Sequence, residues 1–430
     1  MSREPTLNRV IGRLGFGAIN INSVIGAGIF GLPAVAAAQA GDFSPWLFLL
    51  AGVMVFSVVL SFARTASMFR TTGGAIVYAS HAFGPFVGFQ TGWLSYCSRA
   101  ASMGANTNLL VTYASWFWAP LDGQPYRAIS LVLLISGITW LNVAGVRNSM
   151  AAVYLFTVLK LLPLSLLILF GLGSVDAPAL FGAQAPEPGS LGETLLVLMY
   201  AYVGFEGTVV TAGEGRSPRR DMPAALINTI VAIGVIYFLV QMVSVAVLPT
   251  LADSRTALAD VAAVLLGGWG AALLTLGAVF SISGNLSSSL LSAPRMTYAL
   301  ARDGNMPRWF GRVHPRFRTP ANSVFFYGLL SLGLALSGTF IWLAAMSTLV
   351  RLLTYMVCIA ALPRLERTAE AFDRQFTLPG GLLIPGVAMM LCLWLIAQAS
   401  TQSWLTTIAF FALGSALYWR STGTPPPAGG

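Results

Sequence analysis

An apolar run long enough to cross a bilayer is interrupted in its middle. It reads Asn22-Ser23-Val24-Ile25-Gly26-Ala27-Gly28-Ile29-Phe30-Gly31-Leu32-Pro33, with three glycines and a proline inside it. Glycine in a helix interior costs about 1 kcal/mol relative to alanine, and proline about 3 kcal/mol. A helix that only had to cross lipid would avoid both. Broken backbone at membrane depth is tolerated where protein or a watery cavity covers it, and its freed amides and carbonyls can then hold a charged solute. A second run of this kind, Tyr200-Ala201-Tyr202-Val203-Gly204-Phe205-Glu206-Gly207, lies far downstream. Two interrupted spans in corresponding positions point to the binding site of a secondary transporter.

Composition sets the class. Of 430 residues, 56% are hydrophobic and 9% charged, where a soluble domain carries about 25% charged residues. The chain reads as an all-α, polytopic membrane protein. About twelve runs approach the roughly 20 apolar residues that a span requires. Their approximate bounds are 15–40, 46–70, 83–116, 128–146, 151–173, 191–213, 223–248, 263–293, 322–338, 340–362, 380–398 and 402–419. The first run continues past any plausible cleavage site and reads as a retained span rather than a signal peptide.

The net charge of +9 reports topology rather than a nucleic-acid partner. If the chain starts inside and alternates, nineteen arginines fall on inner segments and only Arg127 and Arg255 on outer ones. This positive-inside bias predicts an inner (cytoplasmic) membrane protein with both termini in the cytoplasm. Arg99, Lys160 and Arg351 fall within spans. Cys97, Cys358 and Cys392 lie in apolar spans at no metal-binding spacing, and read as small apolar filler. His81 and His314 fall in connections, so no metal or cofactor is expected.

Parity organises the chain. Each break opens a block of five spans, and five is odd, so the second block enters the membrane from the opposite face. The expected division is a cytoplasmic N-terminus at 1–14, a first five-helix repeat at 15–173, and an inverted second repeat at 191–362. Two additional helices follow at 380–419, then a disordered cytoplasmic tail at 420–430. The segment 174–190 reads as a flexible outer connection.

After the first break a new half-helix starts, whose first amides lack intrahelical partners and whose end carries partial positive charge. Gly26, Ala27 and Gly28 are placed to present N–H groups to a carboxylate, as helix N-termini do. The preceding half-helix ends in carbonyls from about Val24, and the second break supplies more between Tyr200 and Val203. Carbonyls suit an ammonium group. Amides for an anion beside carbonyls for a cation match the zwitterionic head of an amino acid. The competing reading of Gly-x-Gly is close helix packing; the second break weighs against it.

Here the chain resembles the amino acid–polyamine–organocation (APC) transporter superfamily. Ile25-Gly26-Ala27-Gly28-Ile29-Phe30 is similar to its first-span signature, and Val203-Gly204-Phe205-Glu206 to its sixth-span break. Further similar runs are Thr72-Gly73-Gly74-Ala75, His81-Ala82-Phe83-Gly84-Pro85, Gly213-Glu214 with Asp221-Met222-Pro223, and Ser292-Ala293-Pro294-Arg295 through Asp303-Gly304. The resemblance implies ten core helices in two inverted repeats, broken helices 1 and 6, two further helices, and transport of amino acids or related amines by alternating access.

Lys160 is the only lysine in the chain. It lies roughly 14 Å along its span from Ala151, near the midplane and too deep for easy snorkelling. A lysine there costs about 2.5–3.5 kcal/mol on insertion scales and is a functional candidate by default. Burial disfavours the charged form of an amine, which makes proton exchange accessible. By the resemblance, a fifth-span lysine fills the space where sodium-coupled relatives bind sodium, which argues for proton coupling or cation-independent exchange. Glu206, read as the only acid within a span, is a second coupling candidate; pairing with Arg99 or Arg351 is its structural alternative. Ser98 and Ser102 are candidates to face the cavity, with Tyr200, Tyr202 and Phe205 as its wall or gate. The family layout places Asn285 and Ser288 near Lys160.

The expectation is therefore an amino-acid permease, for neutral substrates because few in-span acids are available to a cationic side chain. Its substrate-binding residues are Val24, Gly26, Ala27, Gly28, Ser98, Tyr200, Tyr202, Val203 and Phe205, with Lys160 and Glu206 for coupling to a proton. The alternatives are an amino-acid exchanger, an amine or polyamine carrier, a channel and a sensor. An embedded enzyme lacks an in-span nucleophile–base or metal-ligand set. Oligomeric state is not legible.

Overall fold

A computed structural model describes residues 11–69, 73–144, 150–368, 376–378 and 380–422. The expected disorder of the tail beyond residue 422, most of the N-terminal segment, and Thr72 of the quoted motif lie outside these. The described chain is helical throughout. Its only extended pairing is an isolated bridge between Ile11 and Gly215.

The first interrupted run folds as two helices, α1 (Arg13–Val24) and α2 (Gly28–Ala40), separated by Ile25–Ala27. Next come α3 (Ser44–Ala66), α4 (Ala75–Phe83), α5 (Pro85–Ala114), α6 (Tyr126–Val143), α7 (Met150–Gly171) and the short α8 (Ala177–Gly182). The second interrupted run gives α9 (Pro188–Leu198), a 3-10 turn Met199–Ala201, and α10 (Phe205–Val210). The remaining helices are α11 (Pro218–Val247), α12 (Ala257–Arg302), α13 (Ala321–Ser337), α14 (Phe340–Thr368), α15 (Leu383–Ile396) and α16 (Thr401–Thr422). Prolines at the first positions of α3, α5, α9 and α11 need no amide partner there.

Among the described residues, seven helical stretches are long and apolar enough to cross a membrane, or eight if α15 and α16, bent by 112°, count as one. That makes the chain a multi-pass membrane protein. Helices α1 and α5 fall outside this set for opposite reasons. α1 is 12 residues long, whereas α5 has 30 residues but carries Gln90, Ser95, Arg99, Asn106 and Asn108. α5 is buried along almost its whole length against α12, α13 and α14, so its polar groups face protein, not lipid. The outer faces of α6, α13, α15 and α16 present Leu133, Leu329, Met390 and Leu405, each at least 63% exposed, as a lipid-facing surface would.

Three expectations need correction. The eighth apolar run is a longer helix, 257–302, kinked where Gly267 takes φ +68°. The 174–190 connection is not free: α8 docks on α3, with Trp46 Nε1 donating to the Leu180 carbonyl at 3.1 Å and the Phe181 ring 5.7 Å from Trp46. Leu180 and Phe181, the largest apolar residues of this stretch, supply the contact. Glu206 is also not alone, since Glu193 lies near the start of the apolar stretch Leu191–Val210.

Candidate substrate site

The two interrupted segments touch. Gly204 takes φ +120°, and a Cβ there would stand 2.3 Å from the Ser23 carbonyl oxygen. At Gly28 a Cβ would stand 2.5 Å from the Ala201 Cα. Only glycine allows main chain to approach main chain this closely. Each break therefore fixes the other, and the carbonyl end of α1, the amide end of α2 and the turn before α10 converge.

Between them lies a cavity of about 320 Å³. Asn22, Ser23, Val24, Gly26, Ala27 and Gly28 line one wall, and Tyr200, Val203, Gly204 and Gly207 another. Arg99, Ser102 and Asn106 from α5, Asn285, Ser288 and Ser289 from α12, and Arg351 from α14 complete it. The cavity runs out past Ile11, Met150, Glu214 and Arg295, at the N-terminal ends of α1 and α7 and near the C-terminal end of α12. A volume of this order lies at the lower end of small-molecule sites.

Polar side chains hold the breaks open. Lys160, fully buried on α7 behind the first break, donates to the Ile25 carbonyl at 2.7 Å and to Asn22 O at 3.4 Å. Its ammonium thus meets the negative end of α1, where helix carbonyls lack partners. Asn285 Nδ2 donates to Ser23 O at 3.0 Å and Asn22 O at 3.3 Å, and Ser281 Oγ to Ile25 O at 3.3 Å. Asn106 Nδ2 donates to Asn285 Oδ1 at 2.9 Å, and the Tyr200 hydroxyl to Asn106 Oδ1 at 2.7 Å. A single chain of hydrogen bonds thus runs from α1 through α12 and α5 to the second break. Replacing Tyr200 by phenylalanine removes its terminal donor. The expected cost is about 1 kcal/mol in stability, measured by thermal unfolding.

At the second break, Glu206 Oε2 accepts the Gly204 amide at 3.0 Å and the Tyr355 hydroxyl at 2.8 Å. Its Oε1 lies 3.3 Å from Arg351 Nε. The carboxylate therefore caps the exposed backbone and is neutralised by α14.

Five of the residues singled out from the sequence at the breaks, Val24, Gly26, Ala27, Gly28 and Val203, line the cavity, as do Tyr200 and Ser102. Three others point elsewhere. Ser98 is buried and accepts from Arg351 Nε at 3.2 Å. Tyr202 donates to the Phe48 carbonyl at 2.7 Å, against α3. Phe205 packs edge-on to Phe62 with centroids 5.3 Å apart. Around the second break the helical period no longer dictates side-chain direction, so Tyr202 and Phe205 diverge from Tyr200 and Val203, whereas Ser98 lies in the unbroken α5. Asn22, Asn106 and Arg99 were not assigned to the site; only their polarity inside apolar runs marked them.

Residues 11–420 match the amino acid permease family. The chain is 24% identical to a branched-chain amino acid permease of Bacillus subtilis (strain 168), over 97% of this chain and 94% of the relative. It is 28% identical to a serine/threonine exchanger of the same organism, over 88% of each chain. It is 25% identical to a methylthioribose transporter of that organism, over 97% and 94%. With nearly the whole described chain matched, the protein belongs to the amino acid permease family of membrane transporters.

Proposed function

We propose that the chain is a secondary permease for amino acids, working by alternating access, with Lys160 linking transport to a proton. The observation that carries this reading is the contact of two broken helices whose main chain lines one cavity. In this reading the Gly26–Gly28 amides take the substrate carboxylate, and the carbonyls of Val24, Tyr200 and Val203 take its amino group. Lys160 and Asn285 reserve the Asn22, Ser23 and Ile25 carbonyls for structure, which leaves Val24 open to the ligand.

Twelve helices in two inverted five-helix repeats, 15–173 and 191–362, with two more at 380–419, supply the rocking architecture. Paired breaks and odd parity support it. The arginine distribution supports cytoplasmic termini, so a cavity opening beside Ile11 faces inward. The substrate side chain is non-cationic, because the cavity's charged lining is dominated by Arg99, Arg295 and Arg351.

Lys160 couples because its charge holds the end of α1. Once the proton leaves, a neutral amine holds the Ile25 carbonyl less strongly, and the end of the half-helix is more loosely tied. Exchange without a proton is the second reading, favoured by the 28% identity to a serine/threonine exchanger. Purified protein in proteoliposomes separates the two: symport accumulates amino acid under an inward proton gradient, and exchange needs internal amino acid and no gradient. Amino-acid methyl esters should not compete with uptake. Competition by the esters equal to that of free amino acids would mean an amine carrier without a carboxylate site.

A further inference from the structure

We infer that the permease selects substrates with a second carboxylate, held by Arg99; this rests on the amino-acid reading above and narrows it. Arg99 and Arg351 share one carboxylate, Glu206, which stands within ion-pair distance of Arg351 alone and leaves the two guanidiniums with a net positive charge among the described residues. Glu206 lies 3.3 Å from Arg351, and Arg295 stands at the mouth, where Glu214 also lines the cavity. Among the described residues no carboxylate pairs with Arg99. Its polar contact is Ser292 Oγ at a long 3.4 Å, and its Nε is buried without an acceptor. A guanidinium presents five donors in a planar fork that fits a carboxylate in bidentate fashion. Leaving that fork empty inside a membrane protein is costly, and an anionic group from the ligand relieves the cost.

The position fits a substrate side chain. α5 and α12 run antiparallel here, since Asn106 meets Asn285 and Arg99 meets Ser292. Arg99 thus lies two turns from the Asn106–Asn285 pair, roughly 10 Å along α5. The guanidinium reaches back towards the breaks: a Cβ on Gly207 would stand 3.2 Å from Arg99 Nη2 and 3.7 Å from Ser23 Oγ. Gly207 therefore makes room for the arginine head beside the first break. Ser288 and Ser289 line the space between. A ligand whose α-carboxylate sits at Gly26–Gly28 shares the cavity with Arg99, so a carboxylate on its side chain, as in aspartate or glutamate, is the group that can meet the guanidinium.

The test is competition for uptake in proteoliposomes, with L-glutamate and L-aspartate set against L-glutamine, L-asparagine and L-leucine. The acids should inhibit at concentrations at least about tenfold lower than their amides. Arg99→Gln should bring the acid-to-amide ratio down to about one, by weakening the acids at least about tenfold more than it weakens glutamine. Arg99→Lys should fall between, keeping charge without the fork. Melting of detergent-solubilised protein with and without glutamate reports on folding independently. Should the arginine variants fail to fold, the acid-to-amide ratio of the unaltered protein decides alone. Amides or leucine matching the acids, or Arg99→Gln weakening every substrate equally, overturns the inference and leaves an amino-acid permease standing. If no amino acid moves or binds, the permease reading itself fails.

Discussion

Gly204→Ala should reduce uptake to background and destabilise the protein by about 2–6 kcal/mol, the sum expected for a strained backbone and an overpacked contact. Gly204 takes φ +120°, a conformation that L side chains rarely adopt, and the added methyl would sit 2.3 Å from the Ser23 carbonyl oxygen. Neither neighbour can yield cheaply. Ser23 O is held by Asn285 at 3.0 Å, and the Gly204 amide by Glu206 at 3.0 Å. Relief would have to come from separating the two breaks, which dismantles the cavity wall they share. Gly137→Ala on α6 is the matched control, because a Cβ there meets nothing within 4 Å; its uptake and melting should be unchanged. Normal uptake by Gly204→Ala would mean that contact between the breaks is not needed for transport.

The breaks were legible because glycine and proline are costly in a membrane helix, so their presence needed a reason that the local sequence itself supplied. The partners of the breaks were not. Glu206 and Arg351 lie on α10 and α14, and Asn106 and Asn285 on α5 and α12; no periodicity links them. Each was visible only as a polar residue in an apolar run, without the address of its partner. Expecting neutral substrates followed from counting acids, which speaks against cationic side chains but is silent on anionic ones. The inference about acids depends on two guanidiniums, Arg99 and Arg351, sharing the single carboxylate of Glu206, with only Arg351 at ion-pair distance, and that is a property of three-dimensional placement.

Span counting shows the opposite limit. α5 contains enough polar side chains to fail a simple apolarity test, yet it is the most enclosed of the long helices, because those side chains bond to α12, α13 and α14. Hydropathy measures what a helix offers to lipid. It misjudges a helix whose neighbours are all protein.

Lys160→Ala should abolish accumulation driven by an inward proton gradient, a loss of at least about tenfold, while leaving the protein folded and able to exchange amino acid across vesicles. The two outcomes separate because the carbonyls that Lys160 serves have reserve donors. Ile25 O also accepts from Ser281 at 3.3 Å, and Asn22 O from Asn285 at 3.3 Å. Losing the ammonium therefore costs about 1–3 kcal/mol rather than leaving either carbonyl bare. What no neighbour replaces is a titratable charge at the negative end of α1. In the unaltered protein, lowering external pH at constant internal pH should raise initial uptake; in Lys160→Ala the rate should be flat across the same range. Lys160→Met, which restores most of the stem volume, should behave like Lys160→Ala if charge is what couples, and like the unaltered protein if packing is. Uptake in Lys160→Ala that still rises as external pH falls would move the coupling elsewhere, with Glu206 the next residue to test.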